Sequence, residues 1–404
     1  MKVLIICGVF TEEHQEEVLK KARRFVEFSA NLFQQKLIAG FRQADCSVSV
    51  LSAPFIGAFP MASSVVSFRG FSGPDEGYHY VPFNNIWGLR NLSRAAALKK
   101  AVEPFAKDPD EEKLILIYCP HTPFLEAAVH AKKLDPRIRC CLYVPDLPEY
   151  MNLAEKRSRV YDIAKRYDIA VMTKLMEQMD GFVLLTEQMK DRLPIGKKPY
   201  MVSEGIIDRL PDTESRAGGV DDEKYVVYTG KLNARFGVRD LIDSFDYLQD
   251  PGYRLVLCGS GDCDDYAAAA ARKDPRIMPL GQVLPKAAAA WQRKAAVLVN
   301  PRTGNETYTR YSFPSKNLEY LLSGKPVAAH RLEGMPEVYA DFLYGIRDGG
   351  DHPRAIADAI LAAVSDSEER RMEKYQRFLS YARENLLAAK VAEAVLELMN
   401  GDKE

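Results

Sequence analysis

The stretch from Ser312 to Tyr320 brings hydroxyls, a lysine and a glutamate together where a helix is predicted to begin. Ser312 is the expected N-cap, and Pro314 suits the first turn because its missing N–H would have no partner there. The free N–H groups of that turn and the helix dipole favour a phosphate, to which Lys316 adds a full charge. Glu319, about one turn further along, is placed to accept hydrogen bonds from vicinal hydroxyls. The pattern indicates a nucleotide site, and a capped surface helix with solvated side chains is the alternative.

Two further polar residues follow apolar runs that are predicted to be strands. His121 comes shortly after the run that ends at Tyr118, and Asp146 follows the run that ends at Val144. His121 either contacts a ligand or has a purely structural role. Asp146 either binds acceptor hydroxyls or acts as a base, or it forms an Asx turn with its neighbouring prolines.

Glycines and basic residues mark two strand ends in the second half of the chain. Gly259 and Gly261 allow the backbone to approach a ligand closely. A dinucleotide-binding fingerprint fits poorly, because Asp264 stands where its third glycine is needed. Lys231 and Arg235 either contact a ligand or are solvated loop charges.

The composition is that of a globular protein with more than one domain. The chain has 404 residues, of which 47% are hydrophobic and 27% charged, and its net charge of -1 gives no global attraction to nucleic acid. Its seven cysteines are an odd number and lie mostly in apolar runs. Buried reduced thiols are therefore expected rather than disulfides, and no spacing indicates a zinc site.

The elements that must position these residues alternate between strands and helices. Strands are predicted at residues 2–6, 47–51, 113–118, 140–144, 181–186, 199–202, 225–228, 254–258, 277–280, 296–299 and 326–329. This alternation predicts an α/β protein with parallel sheets covered by helices on both faces. Ligands of such sheets bind outside the carboxyl ends of the strands.

Three segments complete this outline. A single long helix is predicted over residues 12–41, and amphipathic helices over 368–399 end the chain. Residues 52–91, which include Asn84, form a long segment rich in glycine, proline and aromatic residues. Its aromatic content argues against disorder. The segment is expected to be a binding surface for an apolar or sugar-bearing acceptor, or to pack over the sheet.

The sequence also carries expectations about location. It starts with a predicted strand, shows no signal peptide and has no apolar run long enough to span a bilayer, so a cytoplasmic protein is expected. The basic and apolar residues from Lys20 to Val26 either contact an anionic membrane surface or form a solvated helix face.

The C-terminal half resembles the donor-binding domain of the family 4 retaining glycosyltransferases. The resemblance rests on the order and spacing of several motifs, namely 228–232 with Phe236–Gly237, 257–261, 280–283, and 312–320 followed by 324–327. Residues 145–150 and 182–190 resemble a polysaccharide-assembly branch of that family. The resemblance implies the GT-B fold, in which two Rossmann-like domains face each other across a cleft.

On this basis residues 1–208 are expected to form an acceptor-binding domain and residues 223–378 a nucleotide-sugar-binding domain, joined by a linker at 209–222. Residues 379–404 are expected to return toward the first domain. The resemblance implies a catalytic set and two binding sets. The catalytic set is His121, Lys231, Arg235 and Lys316. The donor-binding set is Gly8, Gly230, Gly259, Gly261, Gln282, Val283, Tyr311, Ser312, Phe313, Pro314, Ser315 and Glu319. The acceptor-binding set is Asp146, Phe10 and Asn84.

The sequence departs from the family pattern at two positions. Glu319 matches the second glutamate of the family motif, which holds the ribose, but Tyr311 stands eight positions earlier in place of the first. A tyrosine cannot supply that carboxylate, so a same-face internal return is easier to defend than a double displacement. Phe236 replaces a lysine of the phosphate clamp, and the adjacent Arg235 is the candidate to replace its charge.

The sequence therefore predicts a retaining glycosyltransferase, of hexosyltransferase type, that moves a sugar from a nucleotide-diphosphate sugar to a glycan or lipid-linked acceptor. No cofactor or metal is expected, since there is no convincing Asp-x-Asp pair and basic side chains can replace a cation. A nucleotide-sugar 2-epimerase and a non-catalytic nucleotide-sugar-binding subunit are the alternatives. Nucleic acid is not an expected partner.

Overall fold

The chain divides into two units in a computed structural model that describes residues 1–23, 28–71, 77–110, 112–151, 159–211, 224–304 and 306–401. Unit 1 comprises Met1–Asp208 and Asn385–Glu404, and unit 2 comprises Arg209–Glu384. The sequence-based linker at 209–222 lies almost wholly outside the described residues. Both units are built on parallel sheets with helices between the strands, which confirms the predicted α/β class.

The strands of unit 1 are short, and the central ones are apolar runs whose side chains are buried on both faces. They are β1 (Lys2–Cys7), β2 (Ser47–Ser52), β3 (Ser67–Phe68), β4 (Tyr78–Tyr80), β5 (Phe83–Asn84), β6 (Lys113–Tyr118), β7 (Arg139–Val144), β8 (Gly181–Leu184) and β9 (Tyr200–Val202). In the described part of the unit, seven of them form a parallel sheet in the order β4-β2-β1-β6-β7-β8-β9. The remaining two, β3 and β5, pair antiparallel. Register is set by pairs such as Lys2 with Ser47 and Lys113.

Helices connect these strands. They are α1 (Gln15–Lys21), α2 (Phe28–Gln43), α3 (Arg90–Lys107), α4 (Thr122–Leu134) and α5 (Arg159–Met176). The aromatic segment 52–91 contributes more than a loop, because its β4 forms an edge of the sheet and its β3 and β5 make a separate ribbon. Short strands of two or three residues leave too weak an alternation to be read from sequence.

The single helix predicted over residues 12–41 is wrong. A turn at Glu12–His14 leads into α1, which ends at Lys21, and Ala22 is extended with φ -74 and ψ 141. Ala22 instead forms a β-bridge with Ser63. This long-range backbone pairing, absent from any local pattern, interrupts the helix. The predicted basic face therefore has its Lys20 and Lys21 in α1, and its residues 24–26 lie outside the described residues.

Unit 2 repeats the alternation on a second sheet. Its strands are β10 (Lys224–Thr229), β11 (Tyr253–Cys258), β12 (Ile277–Gly281), β13 (Val297–Asn300), β14 (Val327–His330) and β15 (Tyr344–Ile346). Over the residues described here they form a six-stranded parallel sheet in the order β12-β11-β10-β13-β14-β15. Its helices are α6 (Val238–Asp243), α7 (Asp264–Lys273), α8 (Pro285–Lys294), α9 (Ser315–Leu322), α10 (Tyr339–Phe342), α11 (His352–Ser365) and α12 (Glu368–Asn385).

The core of unit 2 lies between its sheet and the helices α6 and α11. Strand residues such as Val226 and Leu255 are fully buried there against Leu241 and Ile356. This packing fixes the positions of the strand ends, where β10, β11 and β13 pass into loops.

The chain ends in α13 (Ala388–Asn400), which belongs to unit 1. Backbone bonds between Ile207 and the residues around Leu387 join the end of unit 1's first segment to the start of this helix. Gly40 of α2 makes room for it, because a β-carbon there would lie 2.1 Å from the carbonyl oxygen of Ala388.

The cysteines are free thiols at all seven positions, each of which is described. All but Cys46 are buried, as their apolar surroundings in the sequence predict. No helix among the described residues is both long and apolar enough to cross a membrane.

Candidate functional site

The loops after β10 and β11 meet at the carboxyl end of the unit 2 sheet. Gly230 and Gly259 have φ values of 151 and 154, which side-chain-bearing residues rarely adopt. A β-carbon on Gly259 would lie 1.7 Å from the carbonyl oxygen of Gly230. The amide of Leu232 donates to the carbonyl of Ser260 at 3.1 Å and holds the two loops together. Backbone contact therefore requires glycine at Gly259, and the positive φ favours glycine at Gly230.

Asp264, at the start of α7, organises the second loop. Its carboxylate accepts hydrogen bonds from the amide of Gly261, at 2.8 Å, and from the hydroxyl of Ser260. A β-carbon on Gly261 would lie 2.2 Å from the side-chain oxygen of Asn233. The residue that breaks the dinucleotide fingerprint thus fixes a compact turn beside Gly230.

Helix α9 starts later than the sequence suggests. Its N-cap is Pro314, and Ser312 lies outside the helix with φ -142 and ψ 139. The predicted capping role of Ser312 is wrong, because Phe313 and Pro314 separate it from the first helical residue, Ser315. That hydroxyl accepts a hydrogen bond from Arg302 at 2.9 Å. Ser315 is the first helical residue and is exposed.

Lys316, in the first turn of α9, packs against the end of β10. A β-carbon on Gly230 would lie 2.4 Å from its Cε and 2.9 Å from its Nζ. Burial lowers the pKa of Lys316, and the neighbouring Glu319 opposes that shift. The ammonium group therefore lies close to the glycine-containing loop after β10, where it can pair with a ligand phosphate.

Glu319, one turn further along α9, is held in place from α8. Its Oε1 accepts a hydrogen bond from Gln292 Nε2 at 2.6 Å, and the same amide donates to Thr229 Oγ1 at 3.0 Å. Gln292 is buried, whereas Glu319 is exposed. The carboxylate keeps free acceptor capacity toward solvent because each of its oxygens has more than one lone pair.

Arg302, which follows β13, was not among the site residues predicted from the sequence. Its guanidinium lies 4.9 Å from the ring centre of Tyr308, and its Nε is buried without a hydrogen-bond partner. Burial lowers the pKa of Arg302. Arg235, one of the predicted catalytic residues, lies over the same ring at 5.2 Å. The position of Arg302 after a parallel strand was the signal that could have identified it.

The remaining donor-set residues of unit 2 divide between surface and core. Gln282 is exposed and Val283 half-buried after β12, beside Gly259, whose amide donates to the carbonyl of Gly281 at 2.8 Å. Tyr311 and Phe313 are buried, and Phe313 packs on Tyr339 at 5.0 Å between ring centres. Lys231 is exposed at the loop after β10. The structure thus gathers Gly230, Lys231, Gly259, Gly261, Ser312, Lys316 and Glu319 at one end of the sheet.

Unit 1 has its own group of strand-end residues. Gly8, after β1, faces the ring of Phe55, since a β-carbon there would lie 2.5 Å from it. The same ring lies 5.7 Å from the imidazole of His121, after β6. Phe10 is buried, and its amide donates to Asn31 Oδ1 at 2.9 Å. Gly8 and His121 are therefore brought together through Phe55.

His121 lies in basic and apolar surroundings. Its Nδ1 is buried without a hydrogen-bond partner, and its ring is 4.7 Å from that of Phe124. Burial lowers the pKa of His121 well below its ordinary value, and Arg94 and Arg90 lower it further. The imidazole is therefore neutral near pH 7.

The other two acceptor candidates of unit 1, Asp146 and Asn84, lie at exposed positions. Asp146 follows β7, and its charge raises the pKa of Cys119, which burial raises most. Asn84 lies in β5 next to Phe83, and its amide donates to Ser93 Oγ at 2.9 Å. Within the described ranges, no three histidine, cysteine or acidic side chains are grouped as a metal site would require.

Comparison with known proteins relates part of the chain to glycosyltransferases. Residues 223–366 match the family model described as "Glycosyl transferases group 1". The chain is 30% identical over 198 residues to D-inositol 3-phosphate glycosyltransferase of Corynebacterium glutamicum (strain R), a match that covers 46% of each chain. It is 26% identical over 180 residues to phosphatidyl-myo-inositol mannosyltransferase of Mycobacterium tuberculosis (strain ATCC 25618 / H37Rv), which covers 43% of this chain and 46% of the relative. The matches thus span about half the length of these relatives.

Two solved structures share the fold over almost the whole chain. Anabaena Alr3699/HepE, solved in complex with UDP, gives a TM-score of 0.62 at 14% identity and covers 99% of this chain and 100% of its own. The lipopolysaccharide outer core galactosyltransferase WaaB gives a TM-score of 0.60 at 13% identity, with 99% of each chain covered.

These findings identify unit 2 as a domain of the group 1 glycosyltransferase family, and the chain has the GT-B type of fold. The resemblance read from the motifs of the C-terminal half is confirmed.

Proposed function

We propose that the protein is a glycosyltransferase that moves a sugar from a nucleotide-diphosphate sugar to a glycan or lipid-linked acceptor. The observation that carries this proposal is the exposed carboxylate of Glu319, held by Gln292 one helical turn from Lys316 in a group 1 glycosyltransferase domain. A carboxylate accepts hydrogen bonds from the two hydroxyls of a ribose, and an ammonium pairs with phosphate.

The proposed donor site uses the end of the unit 2 sheet. The side chains of Lys316 and Lys231 face the diphosphate, and Arg302 and Arg235 add charge from the neighbouring loops. Fixed positive charge stabilises the diphosphate as it leaves, which is the main requirement of this chemistry. The sugar is assigned to the loop containing Ser312 and the residues after β12, Gln282 and Val283.

We assign a retaining reaction that proceeds on one face of the sugar. The bond from the anomeric carbon to the diphosphate oxygen breaks, and a bond to the acceptor oxygen forms on the same face. The acceptor proton passes to the leaving diphosphate oxygen. Tyr311 supports this route over a double displacement, because a buried phenol replaces the carboxylate that would form a covalent intermediate.

Unit 1 is assigned to the acceptor. Asp146 is exposed after β7, where it can accept hydrogen bonds from acceptor hydroxyls, and His121 is assigned to the sugar being transferred. A relative named as a phosphatidyl-myo-inositol mannosyltransferase supports a lipid-linked acceptor. The role assigned to the transfer is surface polysaccharide or exopolysaccharide assembly. Such an acceptor places the enzyme at the cytoplasmic face of a membrane, with Lys20 and Lys21 of α1 among the basic residues that contact anionic lipid.

The test of the donor site is calorimetric titration of UDP, GDP and their sugars into the wild-type protein and Glu319→Ala. We expect the substitution to weaken binding of the preferred nucleotide by about tenfold to a hundredfold, since hydrogen bonds to a charged group contribute about 1.5–3 kcal/mol. Glu337→Ala is the matched control, because that carboxylate is on the same unit and 94% exposed. Equal affinities of wild type and Glu319→Ala would remove the ribose assignment.

A second candidate function is a nucleotide-sugar-binding subunit without catalysis, and Tyr311 is the observation that favours it. Nucleotide-sugar binding without transfer to any acceptor and without donor hydrolysis would support this candidate. Transfer of radiolabelled sugar to a lipid extract or glycan, with retention of anomeric configuration, would support the transferase. Conversion of the nucleotide-sugar to an epimer without acceptor would instead identify an epimerase.

A further inference from the structure

Arg94 of α3 is a buried cation at the strand ends of unit 1. It is 1% exposed, donates through one terminal nitrogen to the carbonyl of Pro54 at 2.5 Å, and lies 4.3 Å from the ring centre of Phe83. Its Nε is buried and has no hydrogen-bond partner. A buried charge of this kind is costly unless an opposite charge or further hydrogen bonds compensate it.

Two further groups add to this charge. Arg90 precedes Arg94 by one helical turn, so both project from the same face of α3, and it is half-buried. His121 carries a buried, unpartnered Nδ1 and lies in electrostatic range of both arginines. We name these three residues, Arg90, Arg94 and His121, the basic cluster.

The charge of the basic cluster is not balanced by a carboxylate among the residues that the structure describes. Across the described ranges, neither arginine forms an ion pair, and burial lowers the pKa of each. Asp168, on the adjacent α5, accepts its hydrogen bond from Thr122 Oγ1 at 2.5 Å. Positive charge is therefore concentrated at this point without a neutralising side chain in the described part of the chain.

The position of the cluster is that of a ligand site. Pro54 follows β2, His121 follows β6, and Phe55 links His121 to Gly8 after β1. These are the carboxyl ends of three neighbouring parallel strands, where ligands of such sheets bind.

We infer that the basic cluster binds an anionic group, a phosphate, carried by the acceptor substrate. The assignment of this phosphate to the acceptor rests on the proposed function, whereas the existence of the anion site does not. The donor diphosphate has its own cations in unit 2, namely Lys231, Lys316 and Arg302, so the phosphate at the basic cluster is a second one. Arg90 contacts the phosphate directly. Arg94 adds positive charge from its buried position and holds the loop after β2 through its hydrogen bond to Pro54.

The test follows the six histidine side chains by NMR in the full-length protein, with the His121 signal assigned by its loss in His121→Asn. Inorganic phosphate, glucose 6-phosphate, glucose and UDP are titrated separately. We expect inorganic phosphate and glucose 6-phosphate to shift the His121 signal and glucose alone to leave it unchanged. Arg90→Gln should weaken the binding of both anions by about tenfold, because a charge-assisted contact is lost. Arg90→Lys should keep part of the wild-type affinity.

Lys100→Gln is the control, since it removes the same charge from an exposed position of the same helix. It should bind both anions as the wild type does. A His121 signal that responds to neither anion, or an Arg90→Gln variant with wild-type anion affinity, would overturn the anion site. A response to UDP that Arg90→Gln abolishes would assign the anion to the donor and overturn the acceptor phosphate. Nucleotide titration of Glu319→Ala tests the donor site separately, so failure there leaves the basic cluster standing.

Discussion

Gln292 and Glu319 are joined across 27 residues of sequence by a hydrogen bond of 2.6 Å, in which the buried amide orients the exposed carboxylate. The same amide reaches Thr229 at the end of β10. One side chain therefore couples the strand end, the helix α8 and the candidate ribose contact.

This coupling predicts that Gln292→Leu weakens nucleotide binding although Gln292 touches no ligand in the proposed site. We expect a loss of about fivefold to tenfold, equivalent to one hydrogen bond of about 1 kcal/mol or slightly more. Calorimetry with the preferred nucleotide measures it. Gln249→Leu, at an exposed position outside the proposed site, is the comparison for a general loss of polarity in unit 2. In the double variant that combines Gln292→Leu with Glu319→Ala, the loss of binding free energy could equal the sum of the two single losses. Gln292 would then not act through Glu319.

Gly230→Ala is predicted to disturb Lys316. The new methyl group would lie 2.4 Å from the Cε of Lys316, at a φ of 151. We expect the free energy of unfolding to fall by about 1–3 kcal/mol from backbone strain, with weaker nucleotide binding in addition. Gly70→Ala is the control, because its φ is 123 and a β-carbon there would meet no atom within 4 Å. Chemical denaturation and calorimetry separate the two effects, and wild-type affinity in Gly230→Ala would contradict the placement of Lys316.

Nucleotide affinity is predicted to decline as pH rises, and the decline should begin at a lower pH than it would with an ordinary lysine. Burial lowers the pKa of Lys316 from 10.5, so its charge is lost as pH rises through that lowered value. Lys316→Arg should remove this decline, because a guanidinium stays charged. Lys286→Met, at an exposed position of α8, should keep it.

The same group affects stability in the opposite direction. Between its lowered native pKa and 10.5 the unfolded chain binds more protons at Lys316, so the free energy of unfolding contributed by this group rises with pH. Denaturation of wild type and Lys316→Met across this range should show a steeper rise for the wild type. Parallel curves would contradict the lowered pKa.

Tyr311 is predicted to take no part in bond formation. Tyr311→Phe should keep kcat, measured with a saturating donor, close to the wild-type value. Tyr311→Glu places a carboxylate at a position that is 7% exposed and should lower the free energy of unfolding by about 1–3 kcal/mol. A gain of activity in Tyr311→Glu, or a large fall in kcat in Tyr311→Phe, would assign chemistry to this position.

Transfer activity is predicted to be independent of added metal. Excess EDTA should leave the rate unchanged, because basic side chains of unit 2 supply the positive charge that the diphosphate needs. Calcium-EDTA at the same concentration controls for ionic strength. Loss of activity on chelation that manganese or magnesium restores would contradict this prediction.

Much of the fold could be predicted because its strands are short apolar runs, which burial requires on both faces of a parallel sheet. The runs at 113–118 and 277–280 match β6 and β12 to within one residue. The strands that were missed, such as β4 and β15, have only three residues, and their partners are supplied by distant parts of the chain. Local pattern carries little information at that length.

The sequence by itself determined the group of residues that the candidate site contains. Glycine at Gly230 and Gly259, a lysine at Lys316 and a glutamate at Glu319 are each identified by their type and their place after a strand or within a helix turn. Those features are local, because strand ends and helix periodicity are written in consecutive residues.

Only the tertiary structure decided how those residues are held. In the structure the Ser312 hydroxyl accepts a hydrogen bond from Arg302 instead of capping a helix. Gln292 lies behind Glu319 and orients its carboxylate. Arg94 is buried beside His121 without a described carboxylate. Each of these relationships joins side chains from separate elements. Their geometry depends on how the elements pack, and no single stretch of sequence contains that information.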